Sequence, residues 1–502
     1  MKKSFIAATL ALGAAISAHA AIPNIYACGL GLAYANGEHV FSYSLNTAAT
    51  SVDIEIYDLQ DNLLATYPST GLAQGENTFT VKIKETGSFY WKLKATAAST
   101  AEQRGPVATR DDSKTAYPGS DLAWSRLRSI AVNDNPWRSD FGSVYATNCG
   151  ASANFDGLLK FSNCMVPDNG GKSYRGGVSW NGQSSPNDVY VAQDGKLYLS
   201  DWSDKNSGVY VADNEDLSAN FSAVFVGSRA GNGLVTSVDD VAVCGSASTC
   251  CTKGEDEELV LYTFDEDLDG GGLYRYDLGT TDLPWNSAPT KKLGRTFTFG
   301  GEEITISAGA CARVRWDKRD GLWLCHSVAG TTTLLHFNGN DEVDFCQKIS
   351  NVTENAACGF AVNHDGSYLA ISNGKYVHFY DVEFSEAGVP SIAEDTDEKI
   401  STGVTNLFGL AFDYAMNLYI ASTGNGIYVY AMPKADNTCS VRSCKSFSDG
   451  QVVGVDDVAV ADDEAIEAVY TLTGAAVAAD IDALAPGVYI VKTNVRTYKI
   501  VK

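Results

Sequence analysis

The chain has 502 residues, enough for several domains and a large core. Hydrophobic residues make up 45% and charged residues 20%, a globular balance, and 25 Tyr with 47 Gly suit short strands and tight turns. A net charge of -24 argues against a nucleic-acid partner, because such a surface repels phosphate; it suits solubility and is compatible with cation binding.

Residues 1–20 have the form of a signal peptide. Lys2 and Lys3 precede an apolar run from Phe5 to Ile16, and Ala18-His19-Ala20 supplies small residues for cleavage after Ala20. The run is too short to span a bilayer, no other stretch is long enough, and no Cys follows the cut to carry a lipid. The expectation is export, to the outside or to the outer-membrane surface.

Residues 21–100 read as a small β-sandwich. In SVDIEIYDL (51–59), apolar Val52, Ile54 and Ile56 alternate with Asp53 and Glu55, the period of a half-buried strand. LLATY, GENTFTVKI and GSFYWKLKATA follow at short intervals. This order resembles the immunoglobulin-like domain of flagellar-hook-capping and secreted bacterial proteins, which implies a spacer or adhesion module. Residues 101–119 are polar and without period, and read as a linker.

Residues 120–435 repeat a three-strand unit. Second and third strands pair as KLYLSD with GVYVAD, ELVLYTF with GLYRYDL, GLWLCHS with TLLHFNG, YLAISN with YVHFYDV, and LYIAS with GIYVYAM; VYATN with GLLKFSN precedes them. First strands are SIAVN (129–133), DVYVA (188–192), DVAVC (240–244), ARVRW (312–316), GFAVN (359–363) and GLAFD (409–413). Six such units make a β-propeller, with a seventh allowed for in 280–310, because sheets this small bury their faces only against each other. DVYVAQDGKLYLSD and GFAVNHDGSYLAIS resemble NHL-type six-bladed propellers. That ring hosts binders, lyases and lactonases alike, so it leaves function open.

Residues 436–452 read as a second linker, and 453–502 as a small C-terminal β domain. Val469-Tyr470-Thr471-Leu472 with Gly474, Leu484, Gly487-Val488-Tyr489 and the closing Lys499-Ile500-Val501-Lys502 resemble the C-terminal sorting domain of Bacteroidetes type IX secretion cargo. The resemblance implies secretion machinery as a partner. The whole is an all-β chain: sandwich, ring, sorting-type tail.

Export makes the twelve cysteines disulfide candidates. Cys311 and Cys325 are equidistant from the turn at Lys318, and closeness in sequence suggests Cys149 with Cys164, Cys346 with Cys358, and Cys439 with Cys444. Cys28, Cys244, Cys250 and Cys251 stay unassigned.

Two places offer chemistry. Asp265, Asp267 and Asp269 alternate before Gly270, a loop that can wrap oxygen ligands around calcium, although an EF-hand's twelfth-position Glu is replaced by Tyr276. On the ring face that collects second-to-third loops and entries to first strands, Asn187, Asp188, Asp201, Trp202, Asp239, Asp240, His326 and Asn406 form a candidate ligand face. Trp180, Trp202 and Trp285 are candidates for stacking on sugar rings. No nucleophile elbow, metalloprotease motif or phosphate loop is present, and no residue is assigned a catalytic role. The reading is a non-enzymatic exported binding or adhesion platform for an extracellular glycan or protein. The alternatives are an extracellular metal-dependent hydrolase, lactonase or lyase acting over the tunnel, and a structural surface-layer component.

Overall fold

The computed structural model describes residues 22–84, 88–103, 105–110, 124, 126–149, 156–180, 185–203, 207–225, 233–307, 312–328, 331–350, 359–448, 451–453, 466–471, 476–477, 488–493 and 497–501. The residues of the expected export signal lie outside this set. The chain is all-β, with short 3-10 turns at Asn169–Gly171, Asp256–Glu258 and Leu268–Gly270. No helix among the described residues is long and apolar enough to cross a membrane.

The front unit is two packed sheets. One holds Ala27–Ala35, Glu38–Leu45 and Gly75–Val81; the other holds Leu63–Pro68, Ser51–Asp58, Ser88–Thr96, Thr438–Ser448 and Gln451–Val453. Alternation drives it: Val52, Ile54 and Ile56 turn inward against Phe41, Trp91 and Leu93. The opening hairpin turns at Asn36-Gly37, both at positive φ, as a two-residue hairpin requires. The stretch 436–452, read as a linker, is corrected: Thr438–Ser448 runs antiparallel to Ser88–Thr96 and completes the sandwich from the far end of the chain.

Among the described residues up to 435, six antiparallel sheets of three or four strands follow, besides two two-stranded ones. Their innermost strands are Leu127–Val132, Asp188–Val191, Ala247–Lys253, Ala312–Trp316, Phe360–Val362 and Leu407–Phe412. Each contacts the next, and the last returns to the first, so the sheets close a cycle of propeller type. An apolar cluster fills each interface between neighbouring sheets; one packs Ala411, Tyr419 and Val429 against Ile130, Val144 and Leu159. Burying one such side chain contributes roughly 1.5–3 kcal/mol, which is why three- and four-stranded sheets hold together here without helices.

The closing sheet draws on both ends of the ring. Ala108–Arg110, from the stretch read as the first linker, pairs with Gly426–Ala431, and the Val107 amide donates to the Val429 carbonyl at 2.8 Å. This covers an edge that would otherwise stay open. The third sheet also corrects its expected first strand. Ala242–Cys244 belongs to a small hairpin with Val235–Thr236, and the inner strand is Ala247–Lys253, whose small side chains suit a crowded axis. The stretch 280–307 supplies the fourth strand Lys291–Gly294 and a separate two-stranded sheet of Thr296–Phe299 with Glu302–Thr305.

The sandwich is docked on the ring. Asn24 donates to the Met432 carbonyl (2.9 Å) and exchanges two hydrogen bonds with Asn417 (2.7 and 2.9 Å), while Tyr26 and Cys28 pack with Phe141 and Ala415. The tail forms its own sheet of Ile466–Thr471, Ala476–Val477, Val488–Thr493 and Thr497–Val501.

Candidate functional site

Successive strands run antiparallel, so one face of the ring collects the starts of the inner strands and the opposite face collects their ends. At the start of the second inner strand, Asp188 gathers partners from three other sheets. Arg315 makes a two-pronged ion pair with Asp188, Nη1 to Oδ2 and Nη2 to Oδ1, both at 2.9 Å. Ser129 Oγ and Thr249 Oγ1 donate to the same carboxylate, and Arg313 Nε stands 3.8 Å away. Burial alone would raise the Asp188 carboxyl; the Arg315 and Arg313 guanidiniums outweigh it and hold it well below the usual carboxylate range. Arg313 also donates to the carbonyls of Arg128 (3.0 Å) and Phe408 (3.3 Å), tying the fourth sheet to the first and sixth. Backbones close in as well: a Cβ on Gly409 would stand 2.7 Å from the Ile130 nitrogen.

The other residues expected on this face are engaged locally or lie apart from one another. Asn187 donates to the Ser248 carbonyl at 2.5 Å, and Asp201 accepts from the Ser203 amide at 2.8 Å. Trp202 donates to Glu266 at 2.5 Å. Asp239 and Asp240 sit in an exposed turn, Asp240 at positive φ, and Asn406 is likewise a positive-φ turn residue. His326 is buried beside Phe264, 3.4 Å from Ser307 Oγ, and burial lowers its pKa to about 4. Trp180 is fully buried in the core, and Trp285 donates to the Ser287 carbonyl.

The acidic loop is a self-capped turn. Asp265 is buried and accepts from the backbone amides of Gly245 (2.7 Å), Asp267 and Leu268 (3.0 Å each). Asp267 accepts from Ser246 Oγ, and Asp269 is ion-paired with Lys292 at the surface. The three carboxylates thus face three different partners, and no trio of His, Cys, Asp or Glu converges for a metal among the described residues.

The disulfide pairings also meet geometry. Asn148 pairs with Gly157 and Val144 with Phe161, so Cys149 and Cys164 lie at opposite ends of one hairpin, about 17 Å apart at 3.4 Å per residue, where a disulfide needs about 4.4–6.8 Å. That pairing is corrected. Cys325 faces Arg313 across the ladder and is a free thiol; Cys311 lies outside the described residues. Cys346 and Cys439 are free thiols, and the expected partners Cys358 and the Cys444 side chain lie outside the description.

The opening is at the other face. Turns between first and second strands of five sheets line a cavity of about 240 Å³, to which Tyr190, Gln193, Trp316, Lys318, His364 and Tyr414 contribute. A second cavity shares Asp134, Tyr190, Trp316 and Lys318 with it and is lined also by Arg315 and by residues of the inner strands. Lys318 spans the mouth to Asp134 at 2.9 Å, and Arg315 stands 6.0 Å from the Tyr190 ring. Two buried polar atoms of the lining residues, Gln193 Oε1 and His364 Nδ1, have no hydrogen-bond partner. The turn bearing Trp316 and Lys318 is fixed from behind: Asp317 takes a hydrogen bond from the Arg319 amide (2.7 Å) and contacts His336 Nε2 (3.0 Å), whose Nδ1 meets Asp344 (2.6 Å).

Sequence reading missed this mouth. Its residues fall in five turns scattered from 133 to 414, and no local pattern joins them. The available signal was Trp316 at the end of a buried strand, followed by a charged turn.

No family model matches the chain, and no curated protein does. Among solved structures it is similar to an auxiliary nutrient binding protein from Bacteroides ovatus ATCC 8483, at 11% identity and TM-score 0.35, over 78% of this chain and 93% of that chain. A second auxiliary nutrient binding protein, from Bacteroides thetaiotaomicron VPI-5482, matches at 7% identity and TM-score 0.38, over 78% and 94%. A quinonprotein alcohol dehydrogenase-like protein from Bacteroides thetaiotaomicron VPI-5482 matches at 12% identity and TM-score 0.35, over 84% and 94%.

Proposed function

We propose that this chain is an exported binding protein: an Ig-like sandwich docked on a six-bladed propeller, with a sorting-type tail that engages the secretion machinery. Its ligand enters the mouth formed by the first-to-second turns. The observation that carries this reading is the 240 Å³ cavity lined by the rings of Tyr190, Trp316 and Tyr414 beside Gln193, Lys318 and His364. A cavity of about 150 Å³ accommodates benzene, so this one has room for a six-membered ring. The lining chemistry suits a sugar: an apolar ring face on Trp316, Tyr190 or Tyr414, and hydroxyls on Gln193 and His364. The carboxylate at the rim, Asp134, is engaged by Lys318, which favours holding a ligand over acid–base work on it.

Glycan-array screening of the full chain, followed by calorimetry on the best glycan, tests the proposal. Trp316→Ala should weaken binding at least about tenfold with the fold intact. Binding unaffected by Trp316→Ala and Gln193→Ala would remove the mouth as the site.

A further inference from the structure

The sandwich and the ring each present a thiol to the other. Cys28 lies in the sandwich strand Ala27–Ala35, opposite Ser44. It faces the ring, since a Cβ on the ring's Gly142 would stand 3.3 Å from its sulfur. Cys164 lies in the ring's first sheet, just after Gly157–Phe161, and its sulfur is 3.3 Å from the carbonyl of sandwich residue Leu45. Between them, Ser44 Oγ meets Asn163 Oδ1 at 3.3 Å, so the neighbours of both cysteines already touch.

We propose that Cys28 and Cys164 are a disulfide site that locks the sandwich to the ring. Burial raises the Cys28 thiol to about 12, with the nearby Cys164 next among the causes. Cys164 is the half-exposed member and reacts first. Its thiolate attacks a protein or small-molecule disulfide, RS–SR, and releases one RS⁻. The Cys28 thiolate then attacks the mixed disulfide and releases the second. The two cysteines lose two protons and two electrons, and RS–SR leaves as two thiols. The exchange suits an oxidising compartment, but the geometry is independent of export and of the ligand mouth.

The test takes the reduced, folded full chain, adds glutathione disulfide without denaturant, alkylates, and maps peptides by mass spectrometry. The expected result is a Cys28–Cys164 linked peptide pair and a higher thermal unfolding midpoint for the oxidised than for the reduced protein. In Cys164→Ser, whose altered residue is only half-buried, Cys28 should be recovered as an alkylated thiol and the oxidant-dependent shift should vanish. Recovery of both wild-type cysteines as alkylated thiols, or of either one joined to a different cysteine, overturns the proposal.

Discussion

Where the inner strands begin, Asp188, Arg313, Arg315, Ser129 and Thr249 form one buried network. Where the same strands end, Gln193, Lys318 and His364 line a cavity beside the rings of Tyr190, Trp316 and Tyr414. Both ends carry charge and amides, and they differ in what fills the space between the sheets. At the starts, Ser129, Thr249 and Arg315 meet Asp188 from three other sheets. At the ends, the first-to-second turns leave a cavity of about 240 Å³. Polar side chains thus tie the sheets together on one side and line a cavity on the other.

The comparison breaks first at the axis. Asp188→Ala leaves Arg315 buried without its counter-charge and should destabilise the protein by about 3–5 kcal/mol in urea unfolding. An effect under about 1 kcal/mol would show that the closed face is not held by this pair.

Next is His326, neutral and buried on the closed side, with its pKa lowered from 6.5 to about 4. The unfolded chain binds the proton first, so stability is lost as pH falls from about 6.5 to about 4, by up to about 3 kcal/mol. His326→Asn should flatten that part of the pH profile relative to wild type; equal slopes would show that His326 is not the titrating group.

Gln193→Ala, at the open mouth, should lower ligand affinity up to about tenfold through one lost hydrogen bond, while shifting stability by less than about 0.5 kcal/mol. A large loss of stability would move Gln193 to the structural side of the comparison. The smallest effect belongs to the exposed Asp269–Lys292 pair: Asp269→Asn should change stability by less than about 1 kcal/mol, with or without calcium. A calcium-dependent rise in unfolding midpoint that this substitution abolishes would restore the acidic loop as a cation site.

Much of the strand pattern was legible. Alternation in SVDIEIYDL and the repeated Asp-Gly turns mark local preferences that the fold keeps. The opening hairpin was not read from the sequence, because its strands mix Gly and polar residues and offer weak alternation. The third inner strand escaped because ASTCCTK carries no large apolar side chains, and its burial comes from neighbours. Of the candidate face, Asp188 is paired with Arg315, 127 residues away, a partner no local pattern names.

What the sequence determined by itself was the period of many strands and the turns between them, because these follow from backbone and side-chain preferences within a few residues. The tertiary structure alone decided that Thr438–Ser448 returns to the sandwich, that Ala108–Arg110 closes the ring, and which face is open. Strand pairing and charge pairing between distant segments are settled by which edges and which charges need burial, and the chain learns that only when it closes.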